Sequence, residues 1–111
     1  MLNKIVFRFL QLGTNESLKD TGKVLCRFND GILARVFEHS TLEELAKYST
    51  SPIINALSDL HHPLQTLADI MTVRESFGSE KGLTVAWVGD GNNIIHSLLI
   101  GGAKVRTIVC I

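Results

Sequence analysis

The chain has 111 residues, of which 45% are hydrophobic and 20% charged, and its formal net charge is zero. This length suits about one domain with a modest core, and the composition is globular rather than disordered. The zero net charge argues against general binding to nucleic acid. Because no apolar run reaches roughly 18 residues, we expect no membrane span. Cys26 and Cys110 lie far apart without metal-ligand spacing, so we predict reduced, packing cysteines and no metal site.

The first residues, 1–12, carry Lys4 and Arg8 and no acid. Such a segment suits a targeting peptide, an ordinary strand or a segment displaced at a truncated end. The lack of a small-residue cleavage pattern and of serine argues against the targeting peptide. Asn15 is a predicted N-cap for the first helix.

Short apolar runs alternate with helical periodicity along the chain, which predicts βα units and a parallel sheet in an α/β fold. The first helix is predicted from about Glu16 to Phe28, and a buried strand follows over Gly31 to Phe37. Ser40 and Glu43 have the spacing of a capping box, which predicts the start of a short helix that ends at Tyr48.

The next strand is predicted over Pro52 to Asn55, and a long helix over Pro63 to Phe77. Proline is favoured at the first position of a helix, where its missing N–H has no intrahelical partner to lose. Apolar residues recur in this helix at the spacing of one helical face. The predicted inward stripe consists of Leu64, Leu67, Ala68 and Met71.

A buried strand is predicted over Leu83 to Val88, followed by a tight loop over Gly89 to Asn93. A helix over Ile94 to about Ile100 and a last strand over Val105 to Ile111 complete the pattern. Because the sequence stops within an apolar strand, we expect it to be a fragment of a longer chain.

Polar side chains follow the carboxyl ends of three predicted strands, where ligands collect in open α/β sheets. An imidazole, a carboxamide and the N–H groups of a helix start also favour a small anion such as phosphate. The residues are Arg35 on the first strand, His62 and Gln65 after the second, and Asp90, Asn92 and Asn93 after the third. The glycine-rich loop lacks the G-x-G-x-x-G spacing, so its indication of a nucleotide is weak.

Each candidate has a structural interpretation beside the functional one. Arg35 suits a buried ion pair or a fork for a phosphate or carbonyl oxygen. His62 suits a cap, a solvent-facing side chain or a donor to a carbonyl oxygen, and spacing alone does not separate it from His61. Gln65 suits an exposed helix surface or an uncharged amide of a ligand. Asn92 and Asn93 suit helix capping or a grip on a zwitterion, while Asp59 and Asp69 are assigned to structure.

The segment Ser58–Asp69, read as SDLHHPLQTLAD, resembles the SDLxHPxQxLAD signature of the aspartate/ornithine carbamoyltransferase family. The resemblance runs from about Leu12 to Lys104 and includes GTNESLKDT, LARVF, LEELAK, PIIN and WVGDGNNIIHS in order. Within the family, GDGNN followed by His96 and Ser97 is similar to the ornithine enzymes, with the closest likeness to the animal mitochondrial type.

The resemblance implies transfer of a carbamoyl group from carbamoyl phosphate to L-ornithine, giving L-citrulline and phosphate without cofactor or metal. By resemblance Arg35 and His62 are catalytic: they bind carbamoyl phosphate and polarise its carbamoyl oxygen, while Gln65 holds the carbamoyl amide. Asn93 is implied as the ornithine contact, and Asn92 matches the same motif. The family likeness also implies a homotrimer, the mitochondrial matrix and the urea cycle or arginine biosynthesis.

The chain departs from the family pattern in ways that bear on activity. It contains no Ser-Thr-Arg-Thr phosphate-binding helix start, no Ser-Met pair and no His-Cys-Leu-Pro loop, and Cys110 has no such context. The resemblance therefore implies a middle-third fragment, inactive alone, with a partial carbamoyl-phosphate domain over 1–78 and the start of an ornithine domain over 79–111, joined by the long helix. The alternatives are a non-catalytic remnant that binds carbamoyl phosphate weakly or joins full-length subunits, and an independent nucleotide-binding α/β module.

Overall fold

The computed structural model describes residues 16–111, so the predictions for residues 1–15, including the Asn15 cap, lie outside the described part. Helices and strands alternate along it, and the strands pair in parallel, β1 with β2 and β3 with β4. The predicted α/β fold with parallel strands is confirmed. The elements are α1 Leu18–Leu25, β1 Ile32–Arg35, α2 His39–Tyr48, β2 Ile53–Leu57, α3 Pro63–Phe77, β3 Thr84–Ala86, α4 Asn93–Val105 and β4 Ile108–Cys110.

The chain packs as two compact units, the first ending at Asp59 and the second beginning at Leu60. Helix α3 is therefore packed within the second unit. The predicted division into domains 1–78 and 79–111 concerns the family's complete chain, and it stays a prediction.

In the first unit, helix α1 is shorter than predicted at both ends. Ser17 is its N-cap, and the Ser17 hydroxyl accepts a hydrogen bond from the Asp20 N–H at 3.1 Å. The helix begins at Leu18, one residue after this cap, and ends at Leu25. Turns follow it over residues 26–28. The core of the unit lies where Ile32, Ala34 and Leu42 meet, all of them buried.

Helix α2 begins at His39, and the predicted capping box is wrong. Its N-cap residue, Glu38, makes no side-chain capping bond, and Ser40 already lies inside the helix. The capping acceptor is Asp59, whose Oδ1 receives the His39 N–H at 2.9 Å. This hydrogen bond confirms the structural role predicted for Asp59.

In the second unit, helix α3 has the predicted bounds, but it buries a different face. Thr66 is 3% exposed, whereas Leu67 and Met71 of the predicted inward stripe are 61% and 58% exposed. Half-buried Ile70 and Val73 lie on the same face as Thr66. A Cβ on Gly101 of α4 would lie 2.4 Å from Thr66 Cγ2, so the glycine permits this close approach of α3 and α4.

Helix α4 is longer than predicted and the last strands are shorter. The helix continues through Gly101 and Gly102 to Val105, a residue predicted to begin the final strand. Val88 was predicted in a buried strand but is 96% exposed. Cys110 is exposed rather than packed, and Cys26 is half-buried. Within residues 16–111, no helix combines the length and apolar character needed to cross a membrane.

Candidate functional site

Arg35 is the last residue of β1, at the carboxyl end of the first unit's sheet. The register between β1 and β2 shifts here, so that Ala34 faces Asn55 but Arg35 faces Leu57. Arg35 is exposed, and among residues 16–111 no acidic side chain forms a salt bridge with it. The predicted burial of this guanidinium is therefore wrong, and so is the ion pair within the described residues. The side chain stands at the sheet edge where α/β proteins bind ligands.

A polar cluster lies at the same sheet edge, just after β2. The fully buried Ser58 hydroxyl lies 2.9 Å from His39 Nδ1 and receives the Asn55 side-chain N–H at 3.4 Å. The Asn55 Oδ1 is buried and has no hydrogen-bond partner in the structure. These contacts join the end of β2 to the start of α2, which fixes the loop that follows Arg35.

His62 is the residue immediately before α3, with φ −132° and ψ 66°. It occupies the N-cap position, as one of the structural interpretations expected, but its side chain makes no capping hydrogen bond. The imidazole Nδ1 is buried and has no hydrogen-bond partner. An orphaned polar atom of this kind is unfavourable unless a ligand or water satisfies it.

The start of α4 holds the backbone on either side of His61. The Ser97 hydroxyl accepts the His62 N–H at 2.8 Å, and His96 Nδ1 lies 3.1 Å from the Leu60 carbonyl oxygen. The rings of His61 and His96 also meet edge to face, with centroids 6.3 Å apart. The backbone that carries His62 is therefore fixed from α4 as well as by the following proline.

Gln65 is exposed on the first turn of α3. Its Nε2 donates to Asp69 Oδ1 at 2.8 Å, which is an interaction between neighbouring turns of one helix. This contact agrees with the structural role assigned to Asp69. It also means that a ligand amide would have to compete with Asp69 for the Gln65 side chain.

Asn92 and Asn93 open α4 after the glycine-rich loop. The Asn92 Oδ1 accepts the N–H groups of Ile94 and Ile95 at 2.9 and 3.3 Å, so the capping interpretation of Asn92 is confirmed. Asn93 is the first residue of the helix, one turn before Ser97 on the same helix face. The structure thus places Asn93 and the His62 backbone along one face of α4, in the second unit. Arg35 belongs to the first unit.

Sequence reasoning missed the contribution of Ser97, although Ser97 lies within the quoted motif. No spacing rule indicates that its hydroxyl meets a backbone N–H from a residue 35 positions earlier. His39 and Ser58 were missed for the same reason. In residues 16–111, no group of three or more metal-ligating side chains is arranged to hold a metal ion.

Comparison with known proteins was made on both sequence and structure. The family model described as aspartate/ornithine carbamoyltransferase, carbamoyl-P binding domain, matches residues 3–75. Over 95 residues the chain is 54% identical to the mitochondrial ornithine transcarbamylase of Gallus gallus, covering 86% of this chain and 27% of the relative. It is 57% identical over 96 residues to the ornithine carbamoyltransferase of Methanocaldococcus jannaschii, covering 86% and 32%.

Among solved structures, the ornithine carbamoyltransferase from Pyrococcus furiosus matches with a TM-score of 0.85 at 52% sequence identity. The match covers 90% of this chain and 33% of that structure. The chain therefore spans about a third of the length of the proteins that it matches. An archaeal relative is as similar as the animal mitochondrial one, so the similarity does not single out the animal type.

Proposed function

This chain belongs to the aspartate/ornithine carbamoyltransferase family, and on that premise we propose that it supplies part of a site for carbamoyl transfer from carbamoyl phosphate to L-ornithine. The observation that carries the proposal is His62. Its Nδ1 is buried without a partner at the start of α3, inside the segment that matches the carbamoyl-phosphate-binding domain. A substrate oxygen beside this nitrogen would satisfy it.

In the proposed reaction, the ornithine δ-nitrogen forms a bond to the carbamoyl carbon, and the bond from that carbon to the phosphate oxygen breaks. Negative charge develops on the carbamoyl oxygen as the amine attacks. We assign the stabilisation of this charge to the Arg35 guanidinium and the His62 imidazole, because donors aimed at a developing oxyanion lower the barrier. The attacking nitrogen releases a proton to an oxygen of the departing phosphate, and citrulline and phosphate are the products.

The remaining substrate contacts are assigned to residues in the first turns of α3 and α4. The first N–H groups of α3 have no acceptors within the helix, which favours the phosphate anion there. We assign Gln65 to the carbamoyl amide, which requires its side chain to leave Asp69. Asn93 is assigned to ornithine, and Asn92 contributes through the cap that fixes the loop beside it. The proposed domain division, 1–78 and 79–111, agrees with a carbamoyl-P-binding match that ends at residue 75.

We propose the mitochondrial matrix, the urea cycle or arginine biosynthesis and a homotrimer as the setting of the complete protein. The mitochondrial Gallus gallus relative supports this compartment, and the archaeal relative supports a setting outside mitochondria equally well. Cell fractionation with an antibody against this chain decides between them. Recovery with matrix markers supports the first, and recovery with cytosolic markers overturns it.

We propose further that the 111-residue chain alone binds carbamoyl phosphate weakly and does not turn over. The test is citrulline formation from carbamoyl phosphate and L-ornithine, together with a carbamoyl phosphate titration followed by NMR of the histidine rings. We expect no citrulline and saturable shifts of the His62 resonances. Citrulline production near the rate of a complete family enzyme would overturn the inactivity, and a titration without saturable shifts would overturn the binding site.

A pair of adjacent histidine variants tests the assignment of His62. His62→Ala should abolish the binding of carbamoyl phosphate, whereas His61→Ala, its matched control, should retain it. Loss of binding in the His61 variant alone would assign the site to the other imidazole. The remnant hypothesis is tested separately by co-purification with a complete family enzyme, where absence of association under mild conditions counts against it.

A further inference from the structure

We propose that Ser97 is a positioning residue for His62, with His96 holding the same segment from its other side. This inference rests on the proposed role of His62 in binding carbamoyl phosphate. Neither α4 residue has been assigned a role in that site, and both would act on the substrate only through the backbone around His62.

The first step concerns the hydrogen bond itself. Ser97 is 6% exposed, and its hydroxyl accepts the His62 N–H at 2.8 Å. A partly buried hydrogen bond slows exchange of its N–H with solvent, and loss of the acceptor leaves the N–H without its partner. Ser97 therefore restrains the backbone at the residue whose side chain is proposed to bind substrate.

The second step concerns the other end of the same segment. A carbonyl oxygen only accepts hydrogen bonds, so His96 Nδ1, 3.1 Å from the Leu60 oxygen, carries the hydrogen. Two successive residues of α4 thus hold the backbone at residues 60 and 62. The two hydrogen bonds hold the backbone on both sides of His61, so the backbone of this segment has little freedom to rotate.

The third step concerns how these two backbone hydrogen bonds affect the direction of the His62 imidazole. His62 has no side-chain capping bond, and its Nδ1 is buried without a partner, so no hydrogen bond at Nδ1 orients the ring. Its direction therefore depends on the backbone angles at residue 62 and on packing. Pro63 restricts those angles, and the bond from Ser97 selects among the conformations that the proline leaves open.

The fourth step concerns the position of Ser97 relative to the proposed ornithine contact. Ser97 lies one helical turn after Asn93, the proposed ornithine contact, on one face of α4. The helix that presents the ornithine side of the proposed site therefore also fixes the imidazole of the carbamoyl phosphate side. A 1 Å displacement of a catalytic group has large effects on rate. A link that keeps the His62 imidazole in place would therefore support catalysis.

The test uses the 111-residue chain and its Ser97→Ala variant. Amide hydrogen exchange and ring NMR signals of His62 report the positioning without any substrate, and titration with carbamoyl phosphate reports its consequence. We expect exchange of the His62 amide to become about tenfold faster and the affinity for carbamoyl phosphate to fall roughly three- to tenfold, as for one lost hydrogen bond. Ser97→Thr, which keeps a hydroxyl, should restore both.

Ser79→Ala is the matched control, because it removes a hydroxyl that also accepts a backbone N–H, from Lys81 at 3.1 Å, away from His62. It should leave the His62 signals unchanged. His96→Asn, which keeps a donor near the Leu60 oxygen, should behave like the wild type, and His96→Ala like a milder Ser97→Ala. These His96 variants keep the proposal testable if Ser97→Ala does not fold.

Unchanged exchange and ring signals of His62 in Ser97→Ala would overturn the positioning role, whatever the substrate does. Equal changes in Ser79→Ala would overturn it as well, because they would reveal a general loss of stability. Failure of the wild-type chain to bind carbamoyl phosphate would instead overturn the proposed function, and the exchange measurement would still decide the role of Ser97.

Discussion

Asn92 shows how one side chain serves structure while its neighbour is proposed to serve function. Its Oδ1 accepts two N–H groups of the first turn of α4, at 2.9 and 3.3 Å. These are among the groups that a helix start leaves without intrahelical acceptors, which is why asparagine is favoured at this position. The carbonyl oxygen of Asn92 is thus committed to the helix, which leaves Asn93 as the better candidate for contact with ornithine.

This commitment predicts a stability effect. Asn92→Ala should lower the free energy of unfolding by about 1 kcal/mol, the typical cost of losing an N-cap, while Asn92→Ser should recover most of it. Urea unfolding followed by the fluorescence of Trp87, the single tryptophan of the chain, measures the difference. Equal stability of the alanine variant and the wild type would contradict the capping role.

The residue types of the candidate site were predictable, but the long-range interactions of their side chains were not. The positions of Arg35 at the end of a strand and of His62 after one followed from the alternation of strands and helices. The contact between Ser97 and His62 joins residues 35 positions apart and depends on tertiary geometry, whereas Gln65 and Asp69 have the i, i+4 spacing of neighbouring helical turns. A spacing rule could therefore indicate the contact between Gln65 and Asp69, but it contains no information on the contact between Ser97 and His62.

At the scale of elements, bounds were predictable where a local signal dominates. Helix α3 has its predicted ends because Pro63 suits the first position and Gly78 takes the left-handed conformation, with φ 77°, that ends it. The start of α2 was wrong because its cap comes from Asp59, a residue 20 positions away from His39. Local patterns cannot supply a cap from another element.

The buried face of α3 was wrong for a related reason. Leu67 and Met71 follow the helical period, but so do Thr66, Ile70 and Val73. The choice between the two faces is made by α4, where Gly101 lets Thr66 approach. The sequence pattern predicted that α4 ends at about Ile100, before Gly101 and Gly102. The surface of α4 that packs against α3 was therefore not predicted.

This contact predicts a compensating pair of substitutions. Gly101→Ala should destabilise the chain by about 1–3 kcal/mol, because the new Cβ would clash with Thr66 Cγ2 and overpacking outweighs the gain in helix propensity. Thr66→Ser removes the clashing methyl group. In the double variant the cost of Gly101→Ala should largely disappear, and a thermal-unfolding double-mutant cycle measures this coupling. Additive effects of the two substitutions would refute the contact.

The turn after α3 predicts a pH dependence of stability. A two-pronged interaction with Arg74, including an Nε hydrogen bond of 2.8 Å, lowers the pKa of Glu80 from 4.5 to about 2. The unfolded chain therefore binds a proton at Glu80 more readily than the folded chain does. The stabilisation is complete above the unfolded pKa and is lost as the pH falls toward about 2.

Glu80→Gln should accordingly flatten the acid limb of a plot of unfolding free energy against pH. Other carboxylates titrate in the same range, so exposed Glu75→Gln on α3 is the matched control and should leave the slope close to that of the wild type. Thermal unfolding in a series of buffers from about pH 5 to pH 2 provides the measurement. Equal slopes for the Glu80 variant and the wild type would rule out this coupling.

At the scale of the whole molecule, the family could be predicted because several separated motifs occur in order. The mitochondrial type was not shown, because relatives from an animal and from an archaeon share similar identity with this chain. Each sheet in the described residues has two strands, and many large apolar side chains are exposed. In a protein about three times as long, such surfaces and sheet edges are expected to be covered by other parts of the chain.

The 111-residue chain alone is therefore expected to self-associate. Exposed apolar side chains include Leu67 and Met71 on one face of α3, and open sheet edges offer further contacts. Sedimentation velocity at rising protein concentration should show an increasing average mass. The variant Leu67→Lys with Met71→Lys should stay smaller, because two charges four residues apart would be buried in any association through this face.

A matched control separates the face from the added charge. Thr72→Lys with Ser76→Lys places the same two charges at the same spacing on exposed positions of α3 beside that face. If association occurs through Leu67 and Met71, the control should self-associate like the wild type. Equal loss of association in both variants would assign the effect to net charge, and unchanged association in the Leu67 and Met71 variant would assign it to other surfaces such as the open sheet edges.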